Sequence, residues 1–198
     1  MTQLAEVLQR AAQDLDCLGV HWALIGGFAI SIRTEPRFTR DVDLAIAVPD
    51  DRAAEALVRS LLASGYRTQA ILEQTSTGRL ATVRLFSPGS ESDSRIVDLL
   101  FASSGIENEI VREAEPLEVF SGVRVPVGRM GHLIAMKILA RDDEGRPQDR
   151  VDLIQLVRVA DPTEIERAKT ALDLIRGRGF SRGKNLRADL EALLRPPA

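Results

Sequence analysis

The stretch Ala23–Ile46 constrains this chain more than any other. A short apolar run ends in Gly26-Gly27, and further on a second apolar run carries Asp41 and Asp43, separated by one residue. Side chains at i and i+2 of a strand point to the same face. Two carboxylates held side by side repel, and one is driven toward protonation unless a cation sits between them. Mg²⁺ is such a cation, and it keeps coordination positions open for phosphate oxygens. The glycines let backbone approach a ligand that a Cβ would exclude. The unit therefore reads as strand, glycine turn, short helix and acidic strand around a nucleoside triphosphate and its metal. The blander alternative is a glycine helix entry followed by an acidic strand end screened by nearby arginines.

Periodicity extends this unit into a mixed α/β half. Leu4, Val7, Leu8, Ala11, Leu15 and Leu18 form one stripe of a helix over residues 2–19, closed by Gly19. Strands are expected at 22–26 and 42–48, with a short helix at 27–34 and a helix over 51–64. Segments 66–72, 79–87 and 94–101 alternate or run apolar like strands, punctuated by Gly78 and Pro88-Gly89. A helix at 106–114 and two short strands over 117–127 follow, then helical patterns at 129–141, 147–160, 162–176 and 184–194. The expected organisation is an α/β domain, 1–128, and a helical C-terminal lobe, 129–198, packed on it without a linker rich in proline or serine.

Composition narrows the function classes. Net charge is −3 over 198 residues, so a polyanionic partner must be held by a local patch rather than by the whole surface. Aromatics make up 4%, too few for base stacking to dominate a nucleic-acid contact. Cys17 is the single cysteine, which excludes an internal disulfide and multi-thiolate zinc sites. The N-terminal segment reads as an amphipathic helix rather than a signal peptide, and no apolar run approaches the ~20 residues needed to span a bilayer. A cytoplasmic protein without membrane contact, monomeric rather than oligomeric, is expected.

Other residues carry candidate chemistry. Asp98 is an acid inside the apolar run 94–101, a costly placement unless it is paired or liganded. It either bridges to Arg95 or Arg84, or helps bind the metal and accepts the proton of an attacking hydroxyl. Lys137 lies in a strongly apolar helix and shares a face with Arg141, while Asp149 and Asp152 share a face of the next helix. Lys137 with Asp152 is then a structural ion pair between helices, or part of a phosphate site. Arg33, Arg37 and Arg40 cluster before the aspartates, as phosphate clamps or as screening charge. The tract 176–187 holds Arg176, Arg178, Arg182, Lys184 and Arg187 and no acid, which makes it the candidate RNA-binding patch, or else a solvated helix junction. His21 and His132 read as packing residues.

The glycine turn followed by an Asp-x-Asp strand resembles the signature of the DNA polymerase β-like nucleotidyltransferase superfamily. The later block, with Lys137 and Arg141 on one helix and Asp149-x-x-Asp152 on the next, resembles the late motifs of the AbiEii-type toxin nucleotidyltransferases, which include the MenT toxins of mycobacteria. The match runs from about residue 20 to 160. The resemblance implies a mixed sheet with helices, followed by a helical C-terminal half. It implies that Gly26 and Gly27 border the triphosphate, that Asp41 and Asp43 bind Mg²⁺ or Mn²⁺ with Asp98 the least determined of the set, and that Lys137 neutralises phosphate. Asp152 would orient Lys137 or the nucleotide. By charge and placement, Arg33, Arg40 and Arg141 are further candidate nucleotide-binding residues. The resemblance further implies a toxin that moves a nucleotide from an NTP to RNA, at the 3′ end of tRNA, and a cognate antitoxin. A small-molecule nucleotidyltransferase of the aminoglycoside-modifying kind and a non-catalytic nucleotide-binding module are the alternatives. Thr39, two residues before Asp41, faces the same side; it either caps the strand or is a phosphorylation site that silences the enzyme.

Overall fold

The computed structural model describes residues 3–74, 78–89, 95–142, 145 and 147–195. Its centre is a mixed seven-stranded sheet: β1 (His21–Ile25), β2 (Asp41–Ala47), β3 (Arg67–Glu73), β4 (Leu80–Phe86), β5 (Ile96–Leu100), β6 (Glu115–Phe120) and β7 (Val123–Val127). The spatial order is β3-β4-β5-β2-β1-β7-β6, with β2–β5 and β1–β7 parallel and the other pairs antiparallel. β1 and β2 hold the middle because they are apolar on both faces: Trp22, Ala23, Leu24 and Ile25, with Val42, Leu44, Ala45 and Ile46, are all buried. β4 alternates, with Ala81, Val83 and Leu85 buried, so its other face can carry Thr82 and Arg84. Ser94 and Thr2, expected to open β5 and the first helix, lie outside the described residues, as do residues 196–198.

Helices cover this sheet. The first is α1 (Gln3–Cys17), whose stripe Val7, Leu8, Ala11 and Leu15 is buried against β1, β2 and β5. Next are α2 (Gly26–Arg33), α3 (Asp51–Ala63) and α4 (Glu107–Arg112), the last lying on β1 and β2. Gly26, expected at the end of a strand, is instead the first helical residue, because the chain reverses at its positive φ of 66°.

The C-terminal residues form α5 (Met130–Ala140), α6 (Pro147–Val159), α7 (Pro162–Gly177) and α8 (Leu186–Leu194). Asp161 caps α7 by accepting from the Glu164 N–H at 2.8 Å, with Pro162 at the first turn. Helix α5 is apolar nearly all round and is buried between α2, α6, α7 and α8. This traps Lys137, on α5, between the glycine turn of α2 and the acids of α6.

Candidate active site

The glycine turn and the aspartate strand meet because β1 pairs with β2. Their register sets Ile25 opposite Asp43, so Gly26 begins α2 directly beside that carboxylate. A Cβ on Gly26 would fall 2.0 Å from Asp43 Oδ2, and one on Gly27 would fall 2.6 Å from Arg37 Nη2 and 3.1 Å from Thr39 Oγ1. Both glycines, Asp43, Lys137, Met136, Leu72 and Arg182 are among the residues lining a cavity of about 360 Å³. The first turn of α2 leaves backbone N–H groups without helical partners, a setting that favours phosphate.

Carboxylates crowd the strand ends. Parallel pairing of β2 with β5 sets Asp43 opposite Asp98, with Asp41 two residues along β2. Burial, then the Asp98 and Asp41 carboxylates, push the Asp43 carboxyl up to about 7, against the opposing pull of Lys137 and Arg84. Asp41 is also raised, chiefly by burial, with Arg84 opposing. Asp98 is forked onto Arg84, whose Nε lies 2.8 Å from Oδ1 and Nη2 2.6 Å from Oδ2. Among the described residues no group of three His, Cys, Asp or Glu converges to hold a metal by itself. Asp41 and Asp43 nevertheless fit a hard divalent ion. They are two oxygen donors on one face of β2 whose repulsion Arg84, 3.6 Å from Asp41, and Lys137 offset only in part, and Mg²⁺ takes few protein carboxylates, filling the rest of its shell with water and phosphate.

Opposite this pair stands a buried ionic cluster. Lys137 Nζ lies 2.5 Å from Asp149 Oδ1 and 3.0 Å from Asp152 Oδ2. Asp152 is fully buried and also accepts from Arg37 Nη2 at 2.8 Å and Gln148 Nε2 at 3.1 Å. A carboxylate so enclosed is tolerable only because two cations and an amide satisfy it. The ammonium of Lys137 thus has two acids behind it and the cavity in front.

Gly26, Gly27, Asp41, Asp43, Asp98, Lys137 and Asp152 therefore converge. Other residues expected at the site are engaged elsewhere. Arg33 donates to the Gly128 carbonyl at 2.7 Å and to Glu115 at 2.7 Å. Arg40 lies over the Phe38 ring, 5.5 Å from its centroid, while its charge still acts on Asp41; the backbone of Arg141 is the C-cap of α5, its carbonyl accepting from Lys184. Within the basic tract, Arg176 pairs with Asp173 at 3.5 Å, Arg178 forks onto Glu109, and Lys184 donates to the Leu139 and Arg141 carbonyls at the end of α5. Arg182, at φ 54°, donates to the Ser103 carbonyl and borders the cavity. Two residues were missing from the expected site: Gln148 carried no signal, and Arg84 was legible only as a possible partner of Asp98. Arg37, expected as a phosphate clamp or screening charge, pairs with Asp152.

A strand-borne carboxylate pair beside a glycine helix start, faced by Lys137 of α5, is the arrangement expected of a nucleotidyltransferase. The family model described as "Nucleotidyl transferase AbiEii toxin, Type IV TA system" matches residues 9–197, and the chain belongs to that family. No curated protein matches the chain. Among solved structures, it is similar to an antigenic nucleotidyltransferase-like protein from Paracoccidioides brasiliensis, at 25% identity and TM-score 0.58, over 96% of this chain and 93% of that one. It also shares its fold with the antibiotic-resistance factor ANT(2'')-Ia, at 18% identity and TM-score 0.53, over 94% of each chain. The toxin MenT4 from Mycobacterium tuberculosis matches at 13% identity and TM-score 0.36, over 98% of this chain and 95% of that one, too distant to bear on the site. No helix among the described residues is long and apolar enough to cross a membrane.

Proposed function

We propose that this toxin nucleotidyltransferase transfers a nucleoside monophosphate from an NTP to an RNA hydroxyl, the 3′ end of tRNA, and so blocks translation. The observation that carries the reading is the cavity shared by Gly26, Gly27, Asp43 and Lys137, with Asp41 adjoining it on the same strand. The acceptor oxygen bonds to the α-phosphorus, the bond to the β-phosphate oxygen breaks, and pyrophosphate leaves while the hydroxyl proton passes to solvent. Backbone N–H groups at Gly26 and Gly27 hold the triphosphate, Lys137 offsets phosphate charge, and Asp152 aims Lys137. Asp41 and Asp43 would hold Mg²⁺ or Mn²⁺, which polarises the phosphate and offsets charge in the transition state. The same reading has residues 1–128 act as the nucleotidyltransferase domain and 129–198 as its helical lobe. It has the protein work as a monomer in the cytoplasm, under the control of a cognate antitoxin.

One observation favours a second reading, a small-molecule acceptor. Arg176, Arg178 and Lys184 of the basic tract are bound to acids or carbonyls of this chain, which weakens the case from charge for RNA, and the fold is shared with ANT(2'')-Ia. Incubating the protein with Mg²⁺, each labelled NTP in turn, and either total RNA or an aminoglycoside panel separates the two. Label in RNA supports the first reading. Label only in an aminoglycoside replaces it with the second, and no label with any nucleotide refutes both.

A further inference from the structure

Asp98 occupies the middle of a lateral row across three strands. Antiparallel pairing sets Arg84 of β4 opposite Asp98 of β5, and parallel pairing sets Asp98 opposite Asp43 of β2. Opposed residues share a sheet face at a strand spacing of ~4.8 Å, so a guanidinium and two carboxylates stand in file. Asp41 adds a third carboxylate on the same face of β2, and Arg84 Nη2 lies 3.6 Å from its Oδ2. The fork onto Asp98 engages both of its oxygens, which fixes the geometry as well as adding attraction. The Asp98 side chain is only 8% exposed and that of Arg84 is 37% exposed, so the pair is set by strand register rather than by a chance meeting of surface chains.

We propose that Arg84 is a built-in cation that occupies the third carboxylate, so that the chain takes a single divalent ion, on Asp41 and Asp43, with its nucleotide. The inference rests on the metal-assisted reading above and deepens it. Three clustered carboxylates require compensating positive charge, and a guanidinium remains protonated at any working pH. Arg84 supplies one such charge permanently, and it holds both Asp98 oxygens away from a second ion. Arg84 is thus a positioning residue, and Asp98 is its counter-ion rather than a ligand.

The test counts Mn²⁺ bound per bound nucleotide, from the electron paramagnetic resonance of free Mn²⁺, with each of the four α,β-methylene NTPs in turn. The wild type should bind one Mn²⁺. Arg84→Met should bind two, because the freed Asp98 joins Asp41 and Asp43, and Arg84→Met/Asp98→Asn should return to one. Thermal melting of each variant accompanies the count. Should Arg84→Met not fold, the charge-balanced Arg84→Met/Asp98→Asn decides: Mn²⁺ affinity should stay within about threefold of wild type, and a tenfold or greater loss makes Asp98 a ligand and overturns the proposal. Two ions in the wild type overturn the proposal while leaving the metal-assisted function standing. No protein-bound Mn²⁺ in the wild type overturns both.

Discussion

Gly26→Ala probes the packing of the glycine turn on the aspartate strand β2. Two costs separate cleanly there. The first is conformational: at φ 66° an alanine enters the left-handed region, at a cost of about 1–2 kcal/mol. The second is steric. The new Cβ would lie 2.0 Å from Asp43 Oδ2, whereas ordinary contact begins at 3.4 Å, so the carboxylate must retreat by about 1.4 Å. A displacement of ~1 Å at a reacting centre costs on the order of 10²-fold in rate. Gly19 is the internal control, since it has φ 67° and nothing within 4 Å of its would-be Cβ. Gly19→Ala should therefore carry the conformational cost alone, lowering Tm by roughly 2–8 °C in a chain of this size, with transfer unchanged. Gly26→Ala should lower Tm further and reduce transfer about 10²-fold or more. The assay is incorporation of labelled nucleotide into acceptor, beside thermal melting of both variants. If the two variants melt together and Gly26→Ala retains transfer within a few fold of wild type, the close approach of the turn to Asp43 is not what the site requires.

The ionic cluster predicts an asymmetry. Asp152→Ala removes the carboxylate that holds Arg37, Gln148 and Lys137 together and should destabilise by about 3–5 kcal/mol, whereas Lys137→Ala leaves Asp152 paired with Arg37 and strands only Asp149, so it should destabilise less and cost activity more than stability. Equal melting losses would make Lys137 a structural residue only, and the double variant should be non-additive in transfer. His132 is buried and its imidazole is held down to about 4, first by burial, against Glu113, Glu164 and Glu109 and with help from Arg167. The folded state therefore binds the proton less well than the unfolded chain. The contribution is whole above the ordinary value of 6.5 and is lost as pH falls toward 4, about 2 kcal/mol being gone by pH 5. Urea unfolding at pH 7 and pH 5 should show this loss in wild type and a smaller one in His132→Leu; parallel losses would refute the assignment. We also propose that phosphorylation of Thr39 silences the enzyme, because its hydroxyl stands beside Gly27 and a phosphate there would place about −1.5 to −2 charges on the triphosphate path. Thr39→Glu should be inactive and Thr39→Val active but resistant to the antitoxin; an active Glu variant with an antitoxin-sensitive Val variant ends the idea.

Local pattern was enough for much of this protein. The α1 stripe, the glycine pair and the i, i+2 aspartates were legible because helix and strand periodicities are properties of a few neighbouring residues. Lys137 and Asp152 stood out because charge inside an apolar helical pattern is costly without a partner. Their mutual pairing was legible too, and the structure has it at 3.0 Å, but the further partners Asp149 and Arg37 were not. Whether Asp98 faced Arg84 or Arg95 depended on strand register, and so did the meeting of Asp43 with Asp98 across parallel strands distant in the chain. The basic tract illustrates the same limit. By charge alone it looked like a polyanion patch, but folding brings Glu109 to Arg178 and the end of α5 to Lys184. Side-chain type and spacing are written along the chain. Which charges neutralise one another is decided by tertiary structure, because ion pairing acts over a few ångströms in space and takes no account of separation in sequence.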